Sequence, residues 1–99
     1  MAEKKVTVMA LIKVKVGMEE KAKNELLALV RPTRAEKGCI NYDMHQGLID
    51  KSLFLFHENW ESEENLKTHF ETEHIKNWLR VADELLAEPL DLTTWKKVG

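Results

Sequence analysis

The sequence predicts an α+β domain of the ferredoxin-like type, in the order β-α-β-β-α-β, with an antiparallel sheet whose two helices cover one face. Three observations predict this fold. Apolar residues alternate along residues 6–16, two further strand-like runs flank a short loop within residues 39–60, and helical periodicity marks residues 18–30 and 75–86. Neither a linker nor a repeat interrupts this order, so we expect the 99 residues to form one domain, residues 1–99.

The first strand and helix follow from a change in apolar period at Gly17. Every second residue of 6–16 is apolar on one face, which predicts a strand. Pro32 should end or kink the following helix, and Thr33 with Glu36 should recap its last turn before Gly38. The expected buried stripe of this helix is Met18, Ala22, Leu26, Leu29 and Val30.

The second half of the chain predicts a strand pair, a helix and a last strand. The paired strands are expected at residues 39–46 and 52–60, and Ser62 is a favourable helix N-cap. Thr72 is expected to cap a second helical segment, and Pro89 should end it before a strand at residues 90–98. The expected buried stripe of the long helix is Ile75, Trp78, Leu79, Ala82, Leu85 and Leu86.

Large apolar side chains occur on both faces of the predicted sheet. Two helices cover one face only, and an uncovered apolar patch of this size is typical of an interface. We therefore expect a homodimer that packs sheet against sheet. The expected outer face carries Met9, Leu11, Leu53 and Leu55, whereas Phe54 and Phe56 point to the helices.

Composition and charge exclude several classes of partner. The net charge of −2 gives no basic footprint for nucleic acid, and no apolar run approaches the ~20 residues of a membrane span. The N-terminal residues show no apolar signal segment. The single cysteine, Cys39, fits a reducing compartment. We therefore expect a cytoplasmic protein with neither a nucleic-acid nor a membrane partner.

Three segments of this chain resemble a known family. They read TRAEKGCINY at residues 33–42, ENWES at residues 58–62 and HFETEH at residues 69–74. In that order they resemble the antibiotic biosynthesis monooxygenase family, especially its quinol-monooxygenase-like members. The resemblance implies a ferredoxin-like fold, a barrel-like dimer and a pocket between sheet and helices. It also implies oxygenation of an electron-rich aromatic substrate by O₂ without a flavin, haem or metal cofactor.

Cofactor-free oxygenation needs a base, a hydrogen-bond donor for the substrate oxygen and apolar walls. We expect His69 to be the base or orienting group, because an unperturbed histidine titrates near ~6.5. Glu58 is the candidate acid or base and Tyr42 the candidate donor. A structural role in the core or at the sheet rim remains the alternative for each. The expected substrate-binding residues are Phe54, Phe56, Trp60, His74 and Arg34.

The spacing of His69 and His74 decides whether they can act together. Five residues place them about 140° apart on a continuous helix, so they share a site only if the helix breaks near Thr72. Because this is not the i, i+4 spacing of helical metal ligands, no metal site is expected. His45 and His57, on the strands, are expected to be structural.

Two other functions remain open at this stage. The same pocket could serve an isomerase or another proton-transfer enzyme acting on a small metabolite, whether phosphorylated or not. It could also belong to a dimer that binds a small hydrophobic molecule without catalysis.

Overall fold

The computed structural model describes residues 4–99 and has the predicted ferredoxin-like α+β fold. Its elements in order are β1 (Val6–Lys13), α1 (Glu19–Leu27), α2 (Val30–Arg34), β2 (Cys39–Gln46), β3 (Leu53–Trp60), α3 (Glu63–Phe70), α4 (Glu73–Leu85) and β4 (Asp91–Trp95). The sheet order is β2-β3-β1-β4, and each neighbouring pair is antiparallel. The first predicted helix consists of two segments, α1 and α2, and the second consists of α3 and α4.

The two faces of the sheet are covered differently. On the inner face, β1 and β3 contribute Val8, Ile12, Phe54 and Phe56, which are almost completely buried beneath the helices. On the outer face, Leu11 is 39% exposed. Strand register sets this division, since alternate residues of a strand point to opposite faces. The expected unequal covering of the sheet is confirmed.

The first strand is shorter than predicted. β1 ends at Lys13, Val14 makes an isolated bridge to Leu86, and Val16 is 92% exposed. The alternation of apolar residues in the sequence therefore extends past Lys13, the end of β1. The last strand is likewise shorter than residues 90–98 and is limited to Asp91–Trp95.

The predicted effect of Pro32 and the predicted recapping turn are corrected by the structure. The helix breaks after Leu27 rather than at Pro32, and Pro32 then lies in the first turn of α2. Amides of a first turn have no partner within the helix, so proline costs little there. Thr33 is buried inside α2, and its hydroxyl has no hydrogen-bond partner within residues 4–99. The Glu36 carboxylate binds two histidines instead of capping this turn.

The long C-terminal helix packs largely as predicted. Ile75, Trp78, Ala82 and Leu85 are buried, whereas Leu79 is 50% exposed. Ser62 caps α3, since its Oγ accepts a hydrogen bond from the Asn65 amide at 3.2 Å. Among the helices of residues 4–99, none combines the length and the apolar character that crossing a bilayer requires.

Candidate functional site

A mainly apolar cavity of about 230 Å³ lies between the inner face of the sheet and the helices. Residues of all four strands form its floor, and α1, α3, α4 and the chain before β4 form its walls. Its polar groups are the side chains of Tyr42, Glu58 and His69. The apolar lining comprises Ala10, Ile12, Leu26, Leu29, Phe56, Phe70, Ile75, Trp78, Leu79, Leu90 and Leu92.

A larger depression, of about 710 Å³, lies beside the two ends of the described chain. Lysines 4, 5, 96 and 97 line it together with Val6, Glu63, Thr94 and Trp95. Among the described residues, its ionisable groups form no hydrogen-bonded cluster. We place the candidate site in the smaller cavity, because apolar walls and a few convergent polar groups are typical of small-molecule sites.

The register of the sheet places Tyr42 and Glu58 side by side under the helices. Tyr42 on β2 pairs with Glu58 on β3, and Glu58 in turn pairs with Val8 on β1. Both polar side chains are almost completely buried, at 2% and 4% exposed respectively. One level further along the strands, Ala10 pairs with Phe56 and Leu92, and its small side chain leaves room for the cavity.

A break between α3 and α4 brings the two site histidines together. Glu71 and Thr72 leave helical geometry, and Thr72 is extended at ψ 156°. The Thr72 hydroxyl donates to the carbonyl oxygen of His69 at 2.7 Å, so the broken helix end keeps a partner. The His69 and His74 rings then lie 6.2 Å apart. The condition set by their spacing, a helix break near Thr72, is thus confirmed.

Glu36 joins both histidines through a single carboxylate oxygen. Its Oε2 lies 2.8 Å from His69 Nδ1 and 2.6 Å from His74 Nε2. The side chains of Glu36 and His69 are 11% and 3% exposed, whereas that of His74 is 21% exposed. The cluster therefore extends from the cavity wall towards solvent.

The conformation of the segment before β2 explains how Glu36 reaches α3. Gly38 has a φ of +85°, in the left-handed region that favours glycine. A Cβ at this position would lie 2.2 Å from Asn65 Cγ in the first turn of α3. The Gly38 carbonyl oxygen also accepts a hydrogen bond from the Glu61 amide at 2.8 Å. The chain before β2 is thereby held against the start of α3, close to His69.

Hydrogen bonding fixes the tautomer that we assign to His69. Nδ1 donates to the Glu36 carboxylate, which leaves an unprotonated Nε2 on the other edge of the ring. Within residues 4–99, Nε2 makes no hydrogen bond. Because Glu36 lies outside the cavity lining and His69 belongs to it, we assign the Nε2 edge, which is opposite Glu36, to the cavity. Burial lowers the pKa of His69, and the Glu36 carboxylate opposes this effect.

Burial also changes the acidity of the two other polar groups. Desolvation raises the pKa of Glu58 to about 7, although the Trp60 indole, which donates to Glu58 Oε1 at 2.9 Å, opposes the shift. Desolvation, followed by the nearby Glu58 carboxylate, raises the pKa of Tyr42 well above its usual range. Tyr42 is therefore a protonated hydroxyl throughout the physiological range. Its ring stacks on Phe56 with centroids 4.6 Å apart.

Four of the eight predicted site residues line the cavity, and four lie elsewhere. Tyr42, Phe56, Glu58 and His69 are in the lining. Phe54 is buried outside it, and Trp60 packs behind it against the His69 ring, with centroids 4.7 Å apart. His74 binds Glu36. Arg34 contacts the Tyr42 carbonyl oxygen and the Asp43 carboxylate, with a half-exposed side chain.

Glu36 is the site residue that the sequence analysis missed. Its spacing from Thr33 matches a capping box, and that local pattern masked its long-range role. The topology contained a usable signal, since Cys39 at the start of β2 pairs with Trp60 at the end of β3. An acidic residue just before β2 therefore lies near the helix that follows β3.

Known proteins similar to this chain agree with its fold and with the family resemblance of its sequence. Residues 5–81 match the family model described as "Antibiotic biosynthesis monooxygenase". YcnE of Bacillus subtilis, provisionally named a monooxygenase, is 34% identical over 88% of this chain and 92% of its own length. The crystal structure of PA3566 from Pseudomonas aeruginosa has a TM-score of 0.94 and 33% identity, covering 100% of this chain and 99% of that one. Rv0793 from Mycobacterium tuberculosis has a TM-score of 0.90 and 27% identity, covering 96% of each chain.

Proposed function

We propose that this chain, which belongs to the antibiotic biosynthesis monooxygenase family, oxygenates a quinol or polyphenol with O₂ and without a cofactor. The observation that carries this proposal is the His69–Glu36 pair at the wall of a mainly apolar cavity. A histidine whose second nitrogen is held by a carboxylate is suited to act as a general base. Family membership by itself does not fix the reaction.

His69 takes the first step, the removal of a phenolic proton. The bond from Nδ1 to Glu36 keeps the lone pair on Nε2, and the carboxylate stabilises the imidazolium that forms. Because burial lowers the pKa of His69, the ring is neutral and able to accept a proton at neutral pH. Glu36 is therefore a positioning residue for this base.

The resulting phenolate supplies the electrons for oxygenation. It gives one electron to O₂, the two radicals combine to form a carbon–oxygen bond, and the His69 imidazolium returns the proton to give a hydroperoxide. Loss of water then leaves a carbonyl, so a dihydroxybenzene and O₂ yield a hydroxyquinone and one water. Apolar walls exclude solvent while these intermediates form.

Tyr42 and Glu58 bind and orient the substrate oxygens. Tyr42 keeps its proton and can donate a hydrogen bond throughout the working pH range. Glu58, with a pKa near 7, is poised between donor and acceptor. The cavity fits one substituted ring, since an apolar cavity of about 150 Å³ already holds benzene.

The remaining predicted residues support this arrangement. Phe56 forms a wall, and Phe54 and Trp60 pack behind the lining, where Trp60 also holds Glu58. His74 is the second donor to Glu36. Arg34 binds the Tyr42 carbonyl oxygen and so secures the strand that carries the Tyr42 side chain.

Oxygen uptake by metal-stripped protein on a panel of hydroquinones and polyphenols tests the proposal. We expect uptake well above autoxidation, and a loss of about 10²–10⁴-fold in kcat for His69→Gln. The matched control is His57→Gln, which removes a histidine from the opposite face of the sheet and should change the rate less than about twofold.

The alternatives give different results in the same experiment. Substrate turnover without oxygen uptake would replace the oxygenase with an isomerase or another proton-transfer enzyme. Binding without any turnover would indicate a small-molecule binding protein. Equal rates for His69→Gln and wild type would remove His69 from the chemistry.

We also infer that two copies pack through the outer face of the sheet. Half-buried or exposed apolar side chains on four neighbouring strand positions support this inference, because monomers rarely expose such a patch. They are Met9, Leu11, Leu53 and Leu55, and Trp95 on β4 extends the patch at 57% exposed. Sedimentation at micromolar concentration should give the mass of two chains.

A further inference from the structure

The oxygen and nitrogen atoms of Glu36, His69 and His74 converge on one point outside the apolar cavity. One potential ligand atom from each residue lies within 4.8 Å of the other two. We propose that these three residues form a site for a divalent transition-metal ion of the zinc type, and that this ion switches off the base at His69. The switching step rests on the proposed function, whereas the metal site does not.

The donor chemistry selects the class of ion. Two imidazoles and one carboxylate form a common ligand set for zinc, with a water molecule at the fourth position. Calcium and magnesium prefer oxygen ligands throughout, so a site with two nitrogens disfavours them.

The geometry requires a local rearrangement of the three side chains. Tetrahedral zinc with bonds of about 2.0–2.1 Å separates its ligand atoms by about 3.3 Å. Glu36 Oε2 now lies 2.8 Å and 2.6 Å from the two nitrogens, so the carboxylate must withdraw by less than about 1 Å. The two nitrogens lie within 4.8 Å of each other and must approach by up to about 1.5 Å. Glu36 lies between α2 and β2, outside any helix or strand, and can move without breaking the sheet. The partly exposed His74 leaves an entry path and room for water.

The metal would change the tautomer of both rings. In the described structure His74 Nε2 lies 2.6 Å from Glu36 Oε2, a carboxylate oxygen that accepts its hydrogen bond. The Thr72 hydroxyl oxygen lies further away, at 3.3 Å, and its own proton is donated to the His69 carbonyl. His74 therefore carries its proton on Nε2, as His69 carries its own on Nδ1. An ion that takes these two nitrogens moves each proton to the other ring nitrogen, with no net proton release.

This change has a direct consequence for the base. With a metal ion on Nδ1, the His69 proton lies on Nε2, at the edge available to the cavity. His69 is then a hydrogen-bond donor and cannot accept a phenolic proton. The metal-bound form is therefore inactive in the proposed reaction, although its cavity is intact.

Metal titration of the stripped protein tests the site directly. We expect one equivalent of Co²⁺ to bind with the visible absorption of a four- or five-coordinate ion, and Zn²⁺ to displace it. Imidazole ¹⁵N shifts should report the proton of His69 moving from Nδ1 to Nε2. Glu36→Gln and His74→Gln should each weaken binding at least about 100-fold, with circular dichroism showing that each variant is folded.

The chain offers a matched control, because it contains four histidines and two of them lie on the other face of the sheet. The double variant His45→Gln, His57→Gln should bind Co²⁺ as the wild type does. Failure of the wild type to bind at micromolar metal, or loss of binding in the double variant with retention in His74→Gln, would overturn the site.

Oxygen uptake then tests the switch separately. Zinc at one equivalent should suppress uptake at least about tenfold, and a chelator should restore it. Stoichiometric binding with unchanged uptake would overturn the switch. If no substrate supports uptake, the proposed oxygenase fails, while the Co²⁺ titration still decides the metal site.

Discussion

The inner and outer faces of the sheet use similar residues for different purposes. On the inner face, His69 and Glu58 line a mainly apolar cavity and have shifted pKa values. On the outer face, His57 lies in a polar ladder with Asn59 and Asn41, whose amide groups bond across the strands at 2.8 Å. The Asn41 amide also donates to the His57 carbonyl oxygen at 3.1 Å. Burial beneath the helices, more than residue type, therefore shifts the pKa of a side chain and suits it to proton transfer.

The first prediction concerns the free energy of unfolding and compares two residues of similar size that are neighbours on β1 but point to opposite faces. Ile12 is 2% exposed and Leu11 is 39% exposed. Ile12→Ala should lower the free energy of unfolding by about 2–5 kcal/mol, because it removes buried contacts and enlarges the cavity, whereas Leu11→Ala should cost about 1 kcal/mol in the monomer. Urea unfolding at several chain concentrations measures both. Equal costs at the lowest concentration would contradict the difference between the faces.

The second prediction tests whether a partner copy covers the outer face. Leu55→Asp places a charge within the proposed interface and should weaken the dimer at least about 100-fold, since an unpaired charge is costly to bury. The same substitution at Leu48, in the loop between β2 and β3 and 89% exposed, is the matched control. Sedimentation equilibrium measures both variants. A Leu55→Asp protein that remains fully dimeric would place the interface elsewhere.

The third prediction uses the buried carboxyl group of Glu58. Its folded pKa is about 7, above the ordinary 4.5, so the folded state binds more protons than the unfolded state between these values. Stability therefore falls as pH rises through this window, by about 3 kcal/mol at most. Glu58→Gln removes the titration and should gain roughly 2–3 kcal/mol over wild type at pH 8, with almost no gain near pH 4.

Urea unfolding between pH 4 and pH 8.5 checks this sign. Glu61→Gln, three residues further on and exposed, is the control and should show no comparable dependence on pH. A gain for Glu58→Gln that is constant across the range would show that the Glu58 carboxyl group is not desolvated in the folded protein.

The order of the elements, the sheet and most of the core follow from the amino-acid sequence alone. Alternation with period two and stripes with period 3.6 are local consequences of backbone geometry, so they can be read without a partner segment. The family resemblance was also available from short motifs, and it is confirmed. The strand at residues 39–46, the Ser62 cap and the segment break at Thr72 agree with the structure.

Which polar groups come into contact depends on tertiary packing. The Glu36–His69 contact joins residues 33 positions apart, and it depends on how the chain at Gly38 packs against α3. The same packing separated Tyr42, Phe56 and Glu58, which line the cavity, from Phe54 and Trp60, which lie behind it. Local periodicity assigns a residue to a face. The contact that changes its chemistry depends on elements distant in sequence, and only packing brings these together.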